Sequence, residues 1–406
     1  MTVLAAASFD VVALIFGGLL VIGALASGIA HRSFLSLTAV FVLAGFLLGD
    51  GGFGVLDIVP TSEFVHDVAT VALIVILFRD GLEVEGEMLQ KAWRLPLRKL
   101  IVAMPLTCVI VAVATHWLTG LGWTESFLVG ALLSPTDPVL SSSVVTNPRV
   151  PRVVRHSLNL ESGMNDGLAL PAVLAFSAAL AGDDDFVWWH FVLQDVTLGF
   201  AFGIAIGLLA ALLVPRDSDI PAHQQSLYAL GVAFLTYGVT VMPPAGNGLI
   251  AVFVCAITLG IRRPGLRHTF EERADDIVEI VKLGVFVVFG SLLTLDGLFG
   301  DGWAAVAVVA VTLLIARPVA IAIALIGTRL PFYLQAFMAW FGPKGVATMT
   351  FSLLVLGRGI EQGERIFDIA ALAVFCSIIA HGLTDTPGSE WIATRRGERE
   401  RRAYAP

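Results

Sequence analysis

Charge is what this chain has least of. Of its 406 residues only 14% are Asp, Glu, Lys or Arg, while 57% are hydrophobic and the mean hydropathy is +0.85. A soluble globular domain carries roughly a quarter charged residues, so this composition excludes one or two ordinary soluble domains and implies a polytopic membrane protein. The net charge of −8 matters less than where the charges lie. Cysteine is scarce as well. Cys108, Cys255 and Cys376 fall in apolar stretches, at spacings that suggest neither a disulfide framework nor a metal site, and read as packing residues. The histidines, His31, His66, His116, His156, His190, His223, His268 and His381, are scattered, and only His381 lies well inside an apolar segment. That scatter argues against a metalloenzyme. No G-x-x-x-x-G-K-[ST] run occurs, so no P-loop drives the protein with ATP. The first apolar run follows no basic n-region and precedes no clear cleavage site, and is expected to be a retained helix.

Long apolar runs are what the chain does have. A helix needs about 20 apolar residues to cross a bilayer. On that length about thirteen segments are predicted, near 10–30, 33–49, 67–84, 98–118, 124–146, 157–181, 189–214, 225–242, 247–261, 276–295, 302–327, 331–356 and 366–385. Lys and Arg collect in cytoplasmic loops. Alternate connections hold Arg32; Lys91, Arg94, Arg98 and Lys99; Arg149, Arg152 and Arg155; Arg216; Arg262, Arg263, Arg267 and Arg273; Arg329; and a basic tail. The opposite connections are acidic, with Asp50, Asp57, Glu63 and Asp67, then Asp183 to Asp185, then Asp296 and Asp301; only Arg358 and Arg365 break the rule. The alternation predicts an odd number of spans, the N-terminus outside and the C-terminus in the cytoplasm. A single transmembrane unit is expected over 1–390, followed by a short basic tail over 391–406 with no regulatory domain.

Two segments are interrupted. The fifth carries S-P-T-D-P from Ser134 to Pro138, and the twelfth F-G-P-K-G from Phe341 to Gly345. Proline removes a backbone donor and disturbs the residue before it. Within a bilayer such a break is tolerated only where it lines a cavity or is buried in protein. The seven-segment separation fits two inverted six-helix halves joined by a linking helix. Broken helices in matching places are the best sequence pointer to a transport site. The sixth segment opens L-N-L-E-S-G-M-N-D-G, with Glu161 and Asn165 on one helical face and Ser162 and Asp166 on the adjacent one. Acids inside a membrane point to function, and an oxygen-rich set of this kind suits a hard alkali cation. Basic residues within the predicted spans are Arg79, Lys282, Arg317 and Lys344. Arg317 needs a buried acid. Lys344, opposite Asp137 in the proposed symmetry, could balance half-helix C-terminal dipoles. Lys282 follows Glu279 by three residues and is expected to pair with it locally. Arg79 and Asp80 close the third segment and read as interfacial.

The combination of L-F-x-x-G-L-E, S-P-T-D-P, E-S-x-x-N-D, A-R-P and a late G-x-[KR]-G resembles the NhaP-type monovalent cation/proton antiporters, bacterial relatives of the eukaryotic sodium/hydrogen exchangers. The resemblance covers essentially all the predicted segments. It implies a homodimer of thirteen-helix subunits, with core helices near 98–181 and 302–385 moving against a dimerising scaffold. It implies that Asp166 binds ion and proton in turn, that Thr136, Ser162 and Asn165 belong to the ion site with Asp137 alongside, and that Glu161 and Arg317 form a buried pair bridged by Asn165. The sequence departs from the family pattern in carrying Lys344 where arginine is usual and Arg79 before Asp80. Electrogenic relatives carry an aspartate pair where this chain has Asn165 and Asp166, which implies exchange of one proton for one cation.

The expectation is therefore a secondary active antiporter of the plasma membrane, exchanging Na+ (also Li+) for H+ with no cofactor and no nucleic-acid partner. A K+/H+ antiporter is the nearest alternative, and a cation channel a more distant one. The basic tail is a candidate for contact with anionic lipid headgroups.

Overall fold

With no water available in lipid, a backbone must satisfy its own polar groups, and a helix does so within one segment. The apolar runs accordingly fold as helices. The computed structural model describes residues 17, 18, 20, 21, 37–84, 93–137, 147–181, 187–214, 221–243 and 246–403. The helices are α1 (Leu37–Leu48), α2 (Glu63–Glu83), α3 (Arg94–Thr119), α4 (Trp123–Leu132), α5 (Arg152–Leu180), α6 (Trp188–Leu213) and α7 (Ala222–Val241). There follow α8 (Gly248–Arg262), α9 (Pro264–Ser291), α10 (Trp303–Ala324), α11 (Phe332–Trp340), α12 (Val346–Leu356) and α13 (Gly363–Ala403). The first predicted segment lies largely outside the described residues, as do Pro138 with the rest of the fifth segment, Arg32, Lys91, Asp183 to Asp185 and Arg216. Among the described residues α3, α5, α6, α10 and α13 are long and apolar enough to cross a membrane. No strand forms among them.

Two boundaries differ from expectation. Helix α9 starts at Pro264 rather than near 276, because proline is well suited to a first helical turn. Helix α13 continues to Ala403 rather than ending near 385, so residues 391–403 are helical. Its Arg and Glu residues are good helix formers.

Helix exteriors are apolar. Trp117, Leu212, Trp303 and Phe332 are each more than 75% exposed. Surfaces of this kind on α3, α6, α10 and α11 suit lipid and would be a liability in water. Inside, a large apolar core runs through α2, α8, α12 and α13, and a smaller one joins the cores of α10 and α11 to Val154 and Leu158 of α5. Close approach is arranged by small residues. A Cβ on Gly199, Gly203 or Gly207 of α6 would come within 3.0 Å of a backbone carbonyl oxygen at Asn247, Ala251 or Cys255. The two helices are therefore packed backbone to backbone.

Candidate functional site

Two helices stop short in the middle of the structure and meet there. Helix α4 ends at Leu132, Leu133 N–H makes a last helical bond to Val129 O, and 134–137 runs on irregularly. Helix α11 ends at Trp340, 341–345 is irregular, and α12 resumes at Val346. The two breaks bond to each other. Asp137 N–H donates to Pro343 O (2.8 Å), and Thr348 Oγ1 donates to Leu132 O (3.0 Å).

Each break carries the charge that the other needs. Asp137 Oδ2 accepts from Val346 N–H at 3.1 Å, at the N-terminus of α12. Lys344 Nζ donates to Pro135 O (3.0 Å) and Ser134 O (3.5 Å), just beyond the C-terminal end of α4. Acids favour helix N-termini and cations C-termini, because the aligned peptide dipoles leave partial charges there. Lys344 thus stands against backbone carbonyls just past the end of α4. Gly345 leaves room for this contact: a Cβ there would stand 2.6 Å from the Asp137 carboxylate.

The second break is also tied to α13. Lys344 N–H donates to Ser377 Oγ (2.8 Å), which lies 3.1 Å from His381 Nδ1, and His381 Nε2 faces Trp340 O at 3.0 Å. One side-chain pair on α13 therefore serves both ends of the gap between α11 and α12. Ser377→Ala leaves the buried Lys344 N–H without its acceptor. An orphaned buried donor costs about 1–3 kcal/mol, which thermal unfolding of the purified variant will register as a lowered Tm.

Against these breaks lies α5, with Glu161, Asn165 and Asp166 all buried and Ser162 half-buried. Asn165 Nδ2 donates to Thr136 O (2.7 Å) and to Thr136 Oγ1 (3.1 Å). This turns the amide oxygen away from Thr136, and among the described residues neither Asn165 Oδ1 nor Asp166 Oδ1 has a hydrogen-bond partner. Among the described residues, Asp80, Asp137 and Lys282 are the charged groups that act electrostatically on Asp166. Two buried oxygens without donors, beside a carboxylate, form a set that a cation or a proton can complete.

One turn before Asp166, Glu161 is held by two cations. Arg317 Nη1 lies 3.0 Å from Oε1, and Lys99 Nζ lies 2.5 Å from Oε2. Arg317 Nη2 also reaches Glu161 Oε2 (3.4 Å), Met338 O (3.3 Å) and Phe341 O (3.3 Å). The guanidinium packs against Gly342, where any Cβ would collide with it. Lys99 opens the widened π-helical turn Lys99–Ala103 and Arg317 directly follows another, Thr312–Ala316, a feature that gathers at functional sites.

Four expectations need correction. Lys99 belongs to the helix body, 1% exposed, and not to a cytoplasmic loop. Its register placed it there: Lys99, Ala103, Thr107, Val111 and Thr115 recur every fourth residue and all are buried. Asn165 does not bridge Glu161 and Arg317; its amide is spent on Thr136, and Lys99 is the third member of that cluster. No Glu279–Lys282 ion pair forms among the described residues; the Lys282 charge instead bears on Asp80 and Asp166. Asp80 is not interfacial but 8% exposed, while its neighbour Arg79 reaches forward to Glu83 at 2.7 Å.

Membrane-length helices, apolar exteriors and a buried polar crossing define a multi-pass integral membrane protein built around two interrupted helices. Residues 17–391 match the family model described as "Sodium/hydrogen exchanger, transmembrane", and the chain belongs to that family. Among curated relatives, a "K(+)/H(+) antiporter NhaP" of Alkalimonas amylolytica is 26% identical over 384 residues, 93% of this chain and 66% of the relative. A "K(+)/H(+) antiporter NhaP2" of Shewanella sp. (strain ANA-3) is 25% identical over 376 residues, 90% of this chain and 64% of the relative. A "Na(+)/H(+) antiporter NhaG" of Bacillus atrophaeus is 26% identical over 369 residues, 85% and 68% of the two chains. The chain thus spans just under two thirds of the length of the NhaP and NhaP2 relatives. The solved structure of the sodium proton antiporter MjNhaP1 from Methanocaldococcus jannaschii superposes with a TM-score of 0.81 at 18% identity, over 93% of this chain and 97% of that one, and shares the fold.

Proposed function

We propose that this protein is a secondary active antiporter that exchanges a monovalent cation for H+. The observation that carries the reading is a pair of buried oxygens, Asp166 Oδ1 and Asn165 Oδ1, that lack a partner among the described residues and lie against the broken helix at Thr136. In this reading Asp166 takes a cation or a proton by turns. Thr136, Ser162 and Asn165 supply neutral oxygens, and Asp137 adds charge while holding the two breaks together. Glu161 with Arg317, and Lys344, are structural charges that keep the crossing in place.

The proposed cycle is competition at one carboxylate, coupled to movement of the interrupted-helix core against a dimerising scaffold within the single unit of 1–390. Thirteen spans in two inverted halves, an outside N-terminus, a cytoplasmic C-terminus and a homodimer in the plasma membrane complete the proposal. With one exchanging acid, Asp166, beside the neutral amide of Asn165, exchange is one for one and electroneutral. We assign Na+, with Li+, as the cation. Transport of K+ is a second reading, favoured by the activity for which the NhaP and NhaP2 relatives are named.

The test is proton flux in proteoliposomes carrying an imposed pH gradient. Addition of Na+, Li+ or K+ collapses the gradient, and the order of response ranks the ions. Lowering the pH raises the cation concentration needed for half-maximal flux, because protons compete for the same group, and saturating cation restores the rate. Flux indifferent to all three ions overturns the proposal. A cation current uncoupled from protons would mark a channel instead.

A further inference from the structure

Lysine is nearly absent from this chain: Lys91, Lys99, Lys282 and Lys344 are its only four among 25 basic residues. Arginine supplies the others. The choice matters because arginine keeps its proton in proteins, whereas a buried lysine can release one. Among the described lysines, Lys99 and Lys344 are each 1% exposed and Lys282 is half-buried. Cations able to lose a proton are thus found inside, where burying a charge is most costly.

Lys99 is the one whose charge is in surplus. Glu161 and Arg317 already form a one-to-one ion pair with two contacts, at 3.0 and 3.4 Å. Adding Lys99 leaves two buried cations on one carboxylate, a net charge of +1. A buried pair gains nothing in charge balance from a second cation. The hydrogen bonding is uneven too. A charged amine has three donors, but among the described residues Lys99 Nζ has two acceptors, Ser157 O at 3.0 Å and Glu161 Oε2 at 2.5 Å. A neutral amine, with two N–H groups, matches those two acceptors and leaves no donor over.

We propose that Lys99 is a second proton-exchanging group, which takes the Lys99–Glu161–Arg317 cluster between net charges of +1 and zero. In the step an Nζ–H bond breaks, the electron pair stays on nitrogen, and the proton passes to water. The exposed Arg94 and Arg98 at the start of α3 mark the side with which it exchanges. Taken up and returned on that side, this proton is not transported, so the exchange ratio at Asp166 is unaltered. It instead sets how strongly the rate depends on pH. Among the described residues the charged groups that act on Lys99 are Glu161 of α5 and Arg317 of α10, and Lys344, beyond Arg317, also feels the charge of Glu161.

The coupling to transport rests on the antiporter reading, but the titration itself does not. Protein labelled with 13Cε-lysine in lipid nanodiscs has only four lysine signals, and Lys99→Arg identifies the one of interest by its loss. That signal is expected to move between its charged and neutral positions across the pH interval in which transport operates; a signal fixed at the charged position throughout overturns the proposal. In proteoliposomes, Lys99→Arg keeps the charge and cannot release it. Its transport is expected to depend on pH less steeply, by one proton, than that of the wild type, and an unchanged profile overturns the proposal. Lys99→Met removes the surplus cation, so its Tm is expected to equal or exceed the wild type's; a marked fall would make Lys99 a structural cation and overturn the proposal. Wild-type protein that moves no cation refutes the antiporter reading, and the lysine titration then decides the fate of Lys99 alone.

Discussion

Asp166→Asn abolishes cation-dependent proton flux, down to the level of protein-free liposomes, while the protein still folds. The loss follows from chemistry. An amide neither ionises nor takes up a proton near neutral pH, so competition between proton and cation ends. Retention of the fold follows from geometry. Asp166 is 6% exposed and, among the described residues, its Oδ1 has no donor and its carboxylate no ion-pair partner for the substitution to sacrifice. A buried charge is costly unless paired, and a nearly isosteric neutral group removes that cost. The Tm of Asp166→Asn is therefore expected to match or exceed the wild type's. Flux in proteoliposomes and thermal unfolding in detergent are measured on the same preparation. A variant that still exchanges cations would remove Asp166 from the mechanism.

Glu161→Ala is expected to be the most destabilising single change at the site. It leaves Lys99 and Arg317, buried together, without the carboxylate that both contact. Breaking a buried pair by removing one partner costs about 3–5 kcal/mol, and here two cations lose their partner at once. Arg317→Ala is milder than the sequence alone suggests. Glu161 keeps Lys99, although Met338 O and Phe341 O lose their donors. The expected order of Tm is wild type, then Arg317→Ala, then Glu161→Ala. If Glu161→Ala unfolds no earlier than Arg317→Ala, the shared-carboxylate account is wrong.

How much of this could be read from the sequence varies with the kind of signal. Breaks at Pro135 and around Pro343 were legible because proline has few places inside a helix. Glu161, Asn165 and Asp166 were legible because polar residues stand out in an apolar run. The partners were harder. Asn165 looked like a bridge within the charge pair, yet its amide faces Thr136 across to the first break. Which way a side chain turns depends on how α5 is rotated against its neighbours, and residue spacing on one helix does not fix that. Lys99 was missed because R94-L-P-L-R-K99 reads as a run of loop charge. Its every-fourth-residue relation to Ala103, Thr107 and Val111 was available, as was the rarity of lysine. Asp80 was hidden by Arg79 beside it, whose charge suggested a helix end at the membrane surface.

The mutual capping at the crossing also limits how this protein can drift over generations. An ordinary ion pair is symmetric: acid and base can trade places by two compensating substitutions and the attraction survives. Asp137 and Lys344 are not partners in that sense. Each answers a helix terminus, Asp137 the beginning of α12 and Lys344 the end of α4. Exchanging them would set an acid against carbonyl oxygens and a base against an N–H group. The polarity of the chain itself forbids the swap, so the sign of each charge is inherited with the direction in which its helix runs.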